Sequence, residues 1–312
     1  MCETLLGTKI SDTTSVDKYI ENVDTLGFFY INRLVQPWYT VDFLYKTTSY
    51  YLKEQSLIRD LHNFTEEIIR KRQADLNKTV NNEKHNRIML DILLDKVNKG
   101  NIDEKRVRDD VNTFLFESFD TTATTLIFMI VRLANESAIQ KLIHEELETI
   151  FDNTDRDLTI EDLSKMKYLE CCIKESLRLY PSVPFISRYI TEDLTIAGYI
   201  IPKNTYYNIH IYDLHHDPDL YSDPEKFIPE RFLPENSVKR HPYAYIPFSA
   251  GSRNCLGQKF AMMAMKTVLA GILRKYRLEP VTRIEDLNFM TDVILRVSHP
   301  LCVRFCLKTP VF

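Results

Sequence analysis

The chain has 312 residues, of which 44% are hydrophobic and 27% are charged, and its formal net charge at pH 7 is −4. This length and composition can bury a substantial core, and the mild negative charge gives no reason to expect nucleic-acid binding. The longest candidate for a membrane span, Leu126 to Val131, is much shorter than a bilayer requires, so the sequence predicts no spanning segment.

The amino-terminal part combines an aromatic stretch with a predicted helix. The aromatic residues are Phe28, Phe29, Tyr30, Trp38, Tyr39, Phe43 and Tyr45. Aromatic clusters are commonest in protein cores, so an ordinary core segment is one interpretation. A helix is predicted around Leu57 to Leu76, and the polar stretch from Asn77 to Asn86 indicates an exposed loop.

A second long helix is predicted further along the chain, because apolar residues recur there at helical spacing. These residues are Val107, Val111, Phe114, Leu115, Phe119, Leu126 and Ile130. The helix also contains an adjacent acid and alcohol, Asp120 and Thr121, in its middle. A threonine inside a helix often donates a hydrogen bond to a carbonyl one turn earlier, and that is the structural interpretation of Thr121.

Further helices are predicted at Ser137 to Phe151 and at Glu161 to Leu179. In the second of these, Glu175 and Arg178 lie three positions apart and therefore share one face. Taken alone, the pair is most simply a surface ion pair, worth well under about 1 kcal/mol. Beyond Pro181 the sequence turns to short β-rich runs punctuated by glycine and proline.

The most informative segment is the loop from Phe248 to Gly257, which is suited to offer the thiolate of Cys255 to a haem iron. Glycines at 251 and 257 allow close backbone approach and unusual dihedral angles. Arg253 supplies a charge for a haem propionate, and loop amides can hydrogen-bond the sulfur. A thiolate ligand favours cleavage of the O–O bond. The alternative is that Cys255 is a small structural residue in the core.

This loop resembles the signature segment of the cytochrome P450 family, the haem-thiolate monooxygenases. The resemblance implies haem b as cofactor and Cys255 as the axial ligand of its iron. The residues predicted to hold the haem are Phe248, Arg253, Gly251, Gly257, Cys255 and Arg188. The six cysteines of the chain do not suggest a disulfide framework, and the remaining five are interpreted as structural.

Upstream segments match two further motifs of the family. Glu175 and Arg178 resemble its Glu-x-x-Arg helix, whose pair binds the arginine of a Pro-Glu-Arg-Phe stretch, here Arg231. The resemblance therefore implies a buried three-way network that holds the cysteine loop in place. Asp120 and Thr121 match the acid and alcohol that deliver protons to dioxygen, which a hydroxyl backed by a carboxylate can do through ordered water.

The string from Phe116 to Thr122 narrows the resemblance to family 4, the fatty-acid omega-hydroxylase branch. In many members the glutamate at the position of Glu117 forms an ester with a haem methyl group, and a carboxylate without any covalent bond is the alternative. Ser118 departs from the usual glycine and could crowd the dioxygen site. The residues predicted to line the substrate pocket are Phe114, Ser118, Phe119, Val183, Pro184 and Phe185.

The resemblance implies a mainly α fold with a small β-rich part, corresponding to the carboxyl-terminal two-thirds of the cytochrome P450 fold. Residues 1–312 are predicted to form a single partial domain without the amino-terminal anchor and first helices, because Met1 to Gly7 resembles the middle of a family 4 enzyme. The family's Trp-x-x-x-Arg helix has no counterpart, since the only tryptophan is Trp38 and residue 42 is Asp42.

The implied reaction inserts one oxygen atom from dioxygen into an apolar substrate such as a fatty acid or other lipid. Electrons come from NADPH through NADPH-cytochrome P450 reductase, and the expected location is peripheral, on the cytosolic face of the endoplasmic reticulum membrane. The aromatic stretch corresponds to the region that roofs the substrate pocket and dips toward the membrane. A truncated, catalytically silent product that acts at most as a binding partner is the alternative.

Reductase docking is predicted for basic residues on the helix after the cysteine loop. They are Lys259, Lys266, Arg274 and Lys275. Lys259 and Lys266 lie seven positions apart and so fall on the same helix face. A solvated helix face without a partner is the alternative.

Overall fold

The structure, a computed structural model, describes residues 6–7, 13–78, 88–152, 154–290 and 292–308. Cys2 and most of the loop predicted at 77–86 lie outside the described residues. Two compact units divide the chain, Met1–Asp120 and Thr121–Phe312. Helices dominate both units and the strands are few and short, which confirms the predicted mainly α fold.

The described part of the first unit is helical. Its elements are α1 (Thr13–Val35), a 3₁₀ turn (Pro37–Thr40), α2 (Asp42–Lys46), α3 (Ser49–Lys78), α4 (Met89–Asn98) and the first half of α5 (Glu104–Asn135). The core collects apolar residues from these helices, among them Val23, Ile68, Leu94 and Val111. Arg72 adds a bidentate ion pair with Asp91, at 2.8 Å for each bond, and so ties α3 to α4.

The aromatic stretch between residues 28 and 45 divides into buried and exposed side chains. Phe29 and Tyr45 belong to the core, with 6% and 2% of their surface exposed. Four others are largely exposed: Phe28 (56%), Tyr30 (57%), Trp38 (56%) and Phe43 (76%). An ordinary core segment therefore does not describe this stretch, because most of its aromatic surface is not covered within the unit.

Helix α5 corrects the prediction that no segment is long and apolar enough to span a membrane. It has 32 residues and contains an 18-residue window of mean hydropathy 1.4, of which 44% is buried. The average stays high although polar residues interrupt the apolar ones, because the phenylalanines and leucine near residues 114–119 add to the apolar run from Leu126 to Val131. The core helix of a soluble protein meets the same test, so length and composition alone do not place α5 in a membrane.

The second unit packs the rest of α5 against shorter helices. These are α6 (Ser137–Phe151), α7 (Ile160–Lys165), α8 (Lys167–Leu179), α9 (Ile211–His215), α10 (Pro234–Ser237) and α11 (Gln258–Lys275). The single helix predicted from Glu161 to Leu179 is in fact α7 and α8, because Met166 between them has a non-helical ψ of 76°. The carboxylate of Glu146 on α6 accepts the Tyr168 and Leu169 amides, so α8 has its own cap.

Four two-stranded antiparallel sheets complete the described residues of this unit. The pairs are β1 (Phe185–Tyr189) with β4 (Tyr206–His210), β2 (Leu194–Ile196) with β3 (Tyr199–Ile201), β5 (Tyr276–Pro280) with β8 (Val303–Leu307), and β6 (Phe289–Met290) with β7 (Arg296–Val297). Buried Gln140 of α6 bonds both the amide and the carbonyl of Leu278, which fixes β5 on the helices. The core between them includes Met129, Ile173, Leu269 and Leu273.

Candidate functional site

The cysteine loop lies on the surface of the second unit. Every residue from Gly251 to Lys259 is exposed, and Leu256 has 85% of its surface exposed. The Cys255 amide donates to the carbonyl of Phe248 at 2.9 Å, and a 3₁₀ turn at Gly251–Arg253 fills the space between them. Cys255 is therefore a free, accessible thiol on a closed loop, which contradicts its interpretation as a core residue.

The two loop glycines serve different purposes. Gly251 has φ of +77°, a conformation that favours glycine, and Ser249, two residues earlier, has φ of +60°. Gly257 has an ordinary φ of −83°, so the prediction of unusual dihedral angles is wrong for it. A Cβ at Gly257 would lie 3.8 Å from the Cys255 sulfur, which is an ordinary van der Waals contact. The glycine leaves that side of the sulfur without this contact.

Charged and aromatic groups flank this loop. Arg253 is exposed within the 3₁₀ turn, and Phe248 is half-buried against the core of the unit. Arg188 on β1 donates to the Ser187 carbonyl at 2.9 Å and reaches the Ser249 hydroxyl at 3.5 Å. The structure therefore brings Arg188, which is distant in sequence, to the side of the loop.

A buried ion network, formed by Glu175, Arg178 and Arg231, confirms the three-way interaction predicted from the motifs. Arg178 binds Glu175 through two hydrogen bonds of 2.9 Å, and both side chains are completely buried. Arg231 donates to the same carboxylate at 3.3 Å. The Ile228 amide donates to it at 2.9 Å, so Glu175 has neutral as well as charged partners.

The arginines of the network also bind main-chain carbonyls of the segments that precede the cysteine loop. Arg178 donates to the carbonyls of His215 at 2.8 Å and Lys226 at 3.1 Å. Arg231 donates to the carbonyls of Ser222 and Asp223. Because guanidinium groups donate in several fixed directions, two side chains fix four main-chain positions, from the end of α9 through the segment that follows it.

The predicted proton-delivery and pocket residues lie on α5 and just after α8. Asp120 is buried with 4% exposed, Thr121 is half-buried, and Glu117 is exposed. The Ser118 hydroxyl donates to the Leu115 carbonyl at 3.3 Å, which turns it back along the helix. The predicted pocket residues Phe114, Phe119, Val183, Pro184 and Phe185 are each half-buried.

Ser182 is a contact of Thr121 that the sequence does not reveal. Its hydroxyl lies 2.9 Å from the Thr121 carbonyl and 2.7 Å from the hydroxyl of Thr125. Thr125 also donates to the Thr121 carbonyl at 2.9 Å, so two hydroxyls share one acceptor. Ser182 follows a proline in a segment without periodicity, and only tertiary structure places it beside α5.

The predicted docking lysines are not equivalent, which corrects the docking surface. Lys259 is exposed, whereas the Lys266 side chain is 7% exposed and its ammonium group binds Glu170 and the carbonyl of Leu163. Burial raises the pKa of Glu170, but hydrogen bonds from Lys174 and Lys266 outweigh burial and lower that pKa to about 2.

Arg274 is also occupied, since it donates to the carbonyls of Thr154 and Arg156 and lies 3.9 Å above the ring of Phe151. Helical spacing predicts on which face of a helix a residue lies, but it does not predict whether the side chain is buried there. Of the four predicted cations, Lys259 near the start of α11 and Lys275 at its end are exposed, whereas the other two lie on parts of the helix that contact neighbouring elements.

The loop fits a haem thiolate by its own chemistry. A free thiol, which can act as a soft ligand, is accessible on a closed loop, and the guanidinium groups of Arg253 and Arg188 flank that loop. Among the described residues no cluster of His, Cys, Asp and Glu side chains is suited to hold a metal ion without such a cofactor.

Comparison with known proteins gives a family match over most of the chain. The family model of cytochrome P450 matches residues 1–305. The chain is 41% identical to probable cytochrome P450 4ac1 of Drosophila melanogaster, over 97% of this chain and 61% of that protein. It is 38% identical to human cytochrome P450 4V2, over 97% of this chain and 60% of the relative. The chain thus spans about 60% of the length of these relatives.

Proposed function

Because the chain belongs to the cytochrome P450 family, we propose that it is a haem-thiolate monooxygenase of the family 4 type. The observation that carries this proposal is the accessible thiol of Cys255 on a loop closed by the Phe248 carbonyl. The buried ion network fixes the segments that lead to this loop. A structural cysteine would not need an accessible sulfur.

Cys255 is the residue that would ligate the haem iron, and Arg253 and Arg188 are the residues that would bind the haem propionates. Phe248, Gly251 and Gly257 shape the surface beside the sulfur. Haem with a thiolate ligand supplies an iron that activates dioxygen and favours cleavage of the O–O bond. The protein supplies the loop that fixes the ligand and the guanidinium groups that neutralise carboxylates.

Asp120 and Thr121 are the proposed groups that hold and pass protons. The carboxylate of Asp120 is buried, so it is shielded from bulk water, and the hydroxyl of Thr121 is adjacent to it in the chain. The carbonyl of Thr121 is held by the hydroxyls of Ser182 and Thr125. This arrangement fixes the helix backbone at the residue whose side chain moves the proton.

Glu117 is our candidate for an ester bond to haem, since its carboxylate is exposed on α5. Extraction with acidified organic solvent removes haem held by coordination alone and leaves ester-linked haem on the protein. Retention in the wild type and loss in Glu117→Gln would support the ester. Complete extraction from both would leave Glu117 as a carboxylate without a covalent bond.

The proposed substrate is a fatty acid or another lipid, and the proposed electron source is NADPH through NADPH-cytochrome P450 reductase. Exposed aromatic residues between 28 and 45 support a membrane surface as the place where such a substrate is met. We propose a location on the cytosolic face of the endoplasmic reticulum. Lys259 and Lys275 are the exposed cations of α11 that remain candidates for reductase docking.

The spectrum of the reduced, carbon monoxide-bound protein tests the proposal. The full chain, reconstituted with haem, should show the red-shifted Soret band of thiolate ligation, and Cys255→Ala should lack it. Cys171→Ala is the matched control, because that thiol is buried in α8 and burial raises its pKa. A wild-type chain without the band would favour a catalytically silent product, and equal loss in both variants would indicate unfolding.

A further inference from the structure

His215 is a fully buried histidine that contacts two parts of the site at once. Its main-chain carbonyl accepts a hydrogen bond from Arg178 at 2.8 Å. Its imidazole Nε2 accepts the backbone N–H of Ile246 at 2.9 Å. One residue therefore joins the buried ion network to the segment that leads into the cysteine loop.

The Ile246 bond defines the protonation state of this ring. A backbone amide can only donate, so Nε2 carries the lone pair and the neutral ring holds its hydrogen on Nδ1. Burial, followed by the positive charge of Arg178, lowers the pKa of His215 to about 3. At neutral pH the ring is thus an uncharged acceptor, because protonation would remove the lone pair that Ile246 uses.

Neighbouring groups fix the orientation of the ring. It stacks on Tyr245 with centroids 5.3 Å apart and an angle of 24° between the planes. The Tyr245 hydroxyl in turn donates to the Lys174 carbonyl on α8 at 2.9 Å. Nδ1 is buried and makes no hydrogen bond of ordinary geometry among the described residues, although the main chain at Arg178 and Leu177 lies close enough to the ring to raise its pKa against the larger effect of burial. The bond at Nε2 is therefore the best-formed polar contact of this ring.

A short series of backbone bonds connects Ile246 to the cysteine. The Ser249 amide donates to the Ile246 carbonyl at 2.9 Å, and Ser249 is held there at φ of +60°. Phe248, inside this turn, offers the carbonyl that accepts the Cys255 amide at 2.9 Å. The position of Ile246 therefore sets the turn whose carbonyl closes the loop.

We propose that His215 is a positioning residue of the cysteine loop, whose imidazole fixes the Ile246 amide and, through the turn at Phe248 and Ser249, the backbone around Cys255. Its importance for haem ligation rests on the proposed function, whereas its effect on the loop backbone does not. The chemistry that the position requires is a neutral acceptor on a flat side chain that can stack on Tyr245.

Hydrogen–deuterium exchange of the full chain without haem tests the contact with a matched pair of variants. His215→Phe keeps a flat ring and removes the acceptor, whereas His215→Gln keeps an acceptor near the position of Nε2. We expect amides from Ile246 to Cys255 to exchange about tenfold faster in His215→Phe, as for one lost hydrogen bond to a buried amide. Amides of α6 should be unchanged, and His215→Gln should restore much of the protection.

His216→Phe is the control for a neighbouring ring, because His216 stacks on Tyr212 and contacts its carbonyl instead of Ile246. It should leave exchange in the loop unchanged. Equal acceleration throughout the unit in His215→Phe and His215→Gln would overturn the proposal, since that pattern means general destabilisation. Unchanged exchange in both would overturn it as well. If His215→Phe does not fold, His215→Asn, whose shorter amide does not reach Ile246, replaces it.

Reconstitution with haem distinguishes the proposed monooxygenase function from the proposed role of His215. If the wild type gives the thiolate band, His215→Phe should give a smaller fraction of that band than His215→Gln at equal haem content. If the wild type gives no band, the monooxygenase assignment fails, and the exchange data still decide the role of His215. Equal band fractions in wild type and His215→Phe would show that the loop holds its ligand without this histidine.

Discussion

The buried ion network and the cysteine loop differ most in their exposure to solvent. Glu175 and Arg178 have no exposed side-chain surface, and that of Arg231 is 10% exposed, whereas the loop is exposed from Gly251 to Lys259. The network uses hydrogen bonds to many carbonyls, and the loop is closed by bonds such as that from Cys255 to Phe248. The loop therefore presents its ligand while the residues behind it supply rigidity.

This difference separates stability from ligand binding within one unit. A buried ion network adds little net stability, because removing its charges from water costs free energy. Removing one of its members is nevertheless destabilising, since it leaves an uncompensated buried charge. An exposed thiol has few contacts to lose. Substitutions behind the loop should thus change the free energy of unfolding, and substitutions in the loop should change ligation.

Glu175→Gln should have the largest effect on stability. It removes the carboxylate that neutralises two buried guanidinium groups, and we expect the free energy of unfolding to fall by about 3–5 kcal/mol. Urea unfolding of the full chain, followed by circular dichroism, measures this loss. Glu161→Gln is the control, because Glu161 pairs with Lys165 on the surface of α7 and is 76% exposed. Similar midpoints for the two variants would contradict the buried-network interpretation.

Lys266→Gln should have the next largest effect and sharpens the comparison within a single helix. Lys266 binds Glu170 and the Leu163 carbonyl from a buried position, and we expect a loss of about 2 kcal/mol, typical of hydrogen bonds to charged groups. Lys259→Gln, on the same face of α11 but exposed, should leave the urea midpoint unchanged. If neither substitution changes the urea midpoint, Lys266 behaves as an exposed lysine and its buried position is contradicted.

The interaction between Glu170 and Lys266 predicts how the free energy of unfolding depends on pH. The pKa of Glu170 falls from 4.5 to about 2 on folding, so the folded state binds the proton less readily than the unfolded state. The stability that this group contributes is present above pH 4.5 and is lost as pH falls from 4.5 toward 2. Lys266→Gln removes one of the two hydrogen bonds, so the stability difference between wild type and variant should shrink over that range. A constant difference would contradict this assignment.

Motif spacing predicted the loop and the network because each depends on residues a few positions apart or on a family pattern. The acceptors of the two arginines, at His215, Lys226 and Ser222, are main-chain carbonyls that carry no mark in the sequence. Periodicity predicted the face of Lys266 and missed its depth, since depth depends on which turns of α11 other helices cover. Irregular segments such as that around Ser182 have no period to analyse.

Cys255→Ala should have the smallest effect on stability and thereby completes the comparison. The side chain is exposed and forms no disulfide with another described residue, so we expect the urea midpoint to remain that of the wild type. Cys172→Ser is the matched control, because it places a hydroxyl at a completely buried core position and should cost about 1–3 kcal/mol. If Cys255→Ala unfolds as readily as Cys172→Ser, the thiol supports the fold and its loss of haem signal would say nothing about ligation.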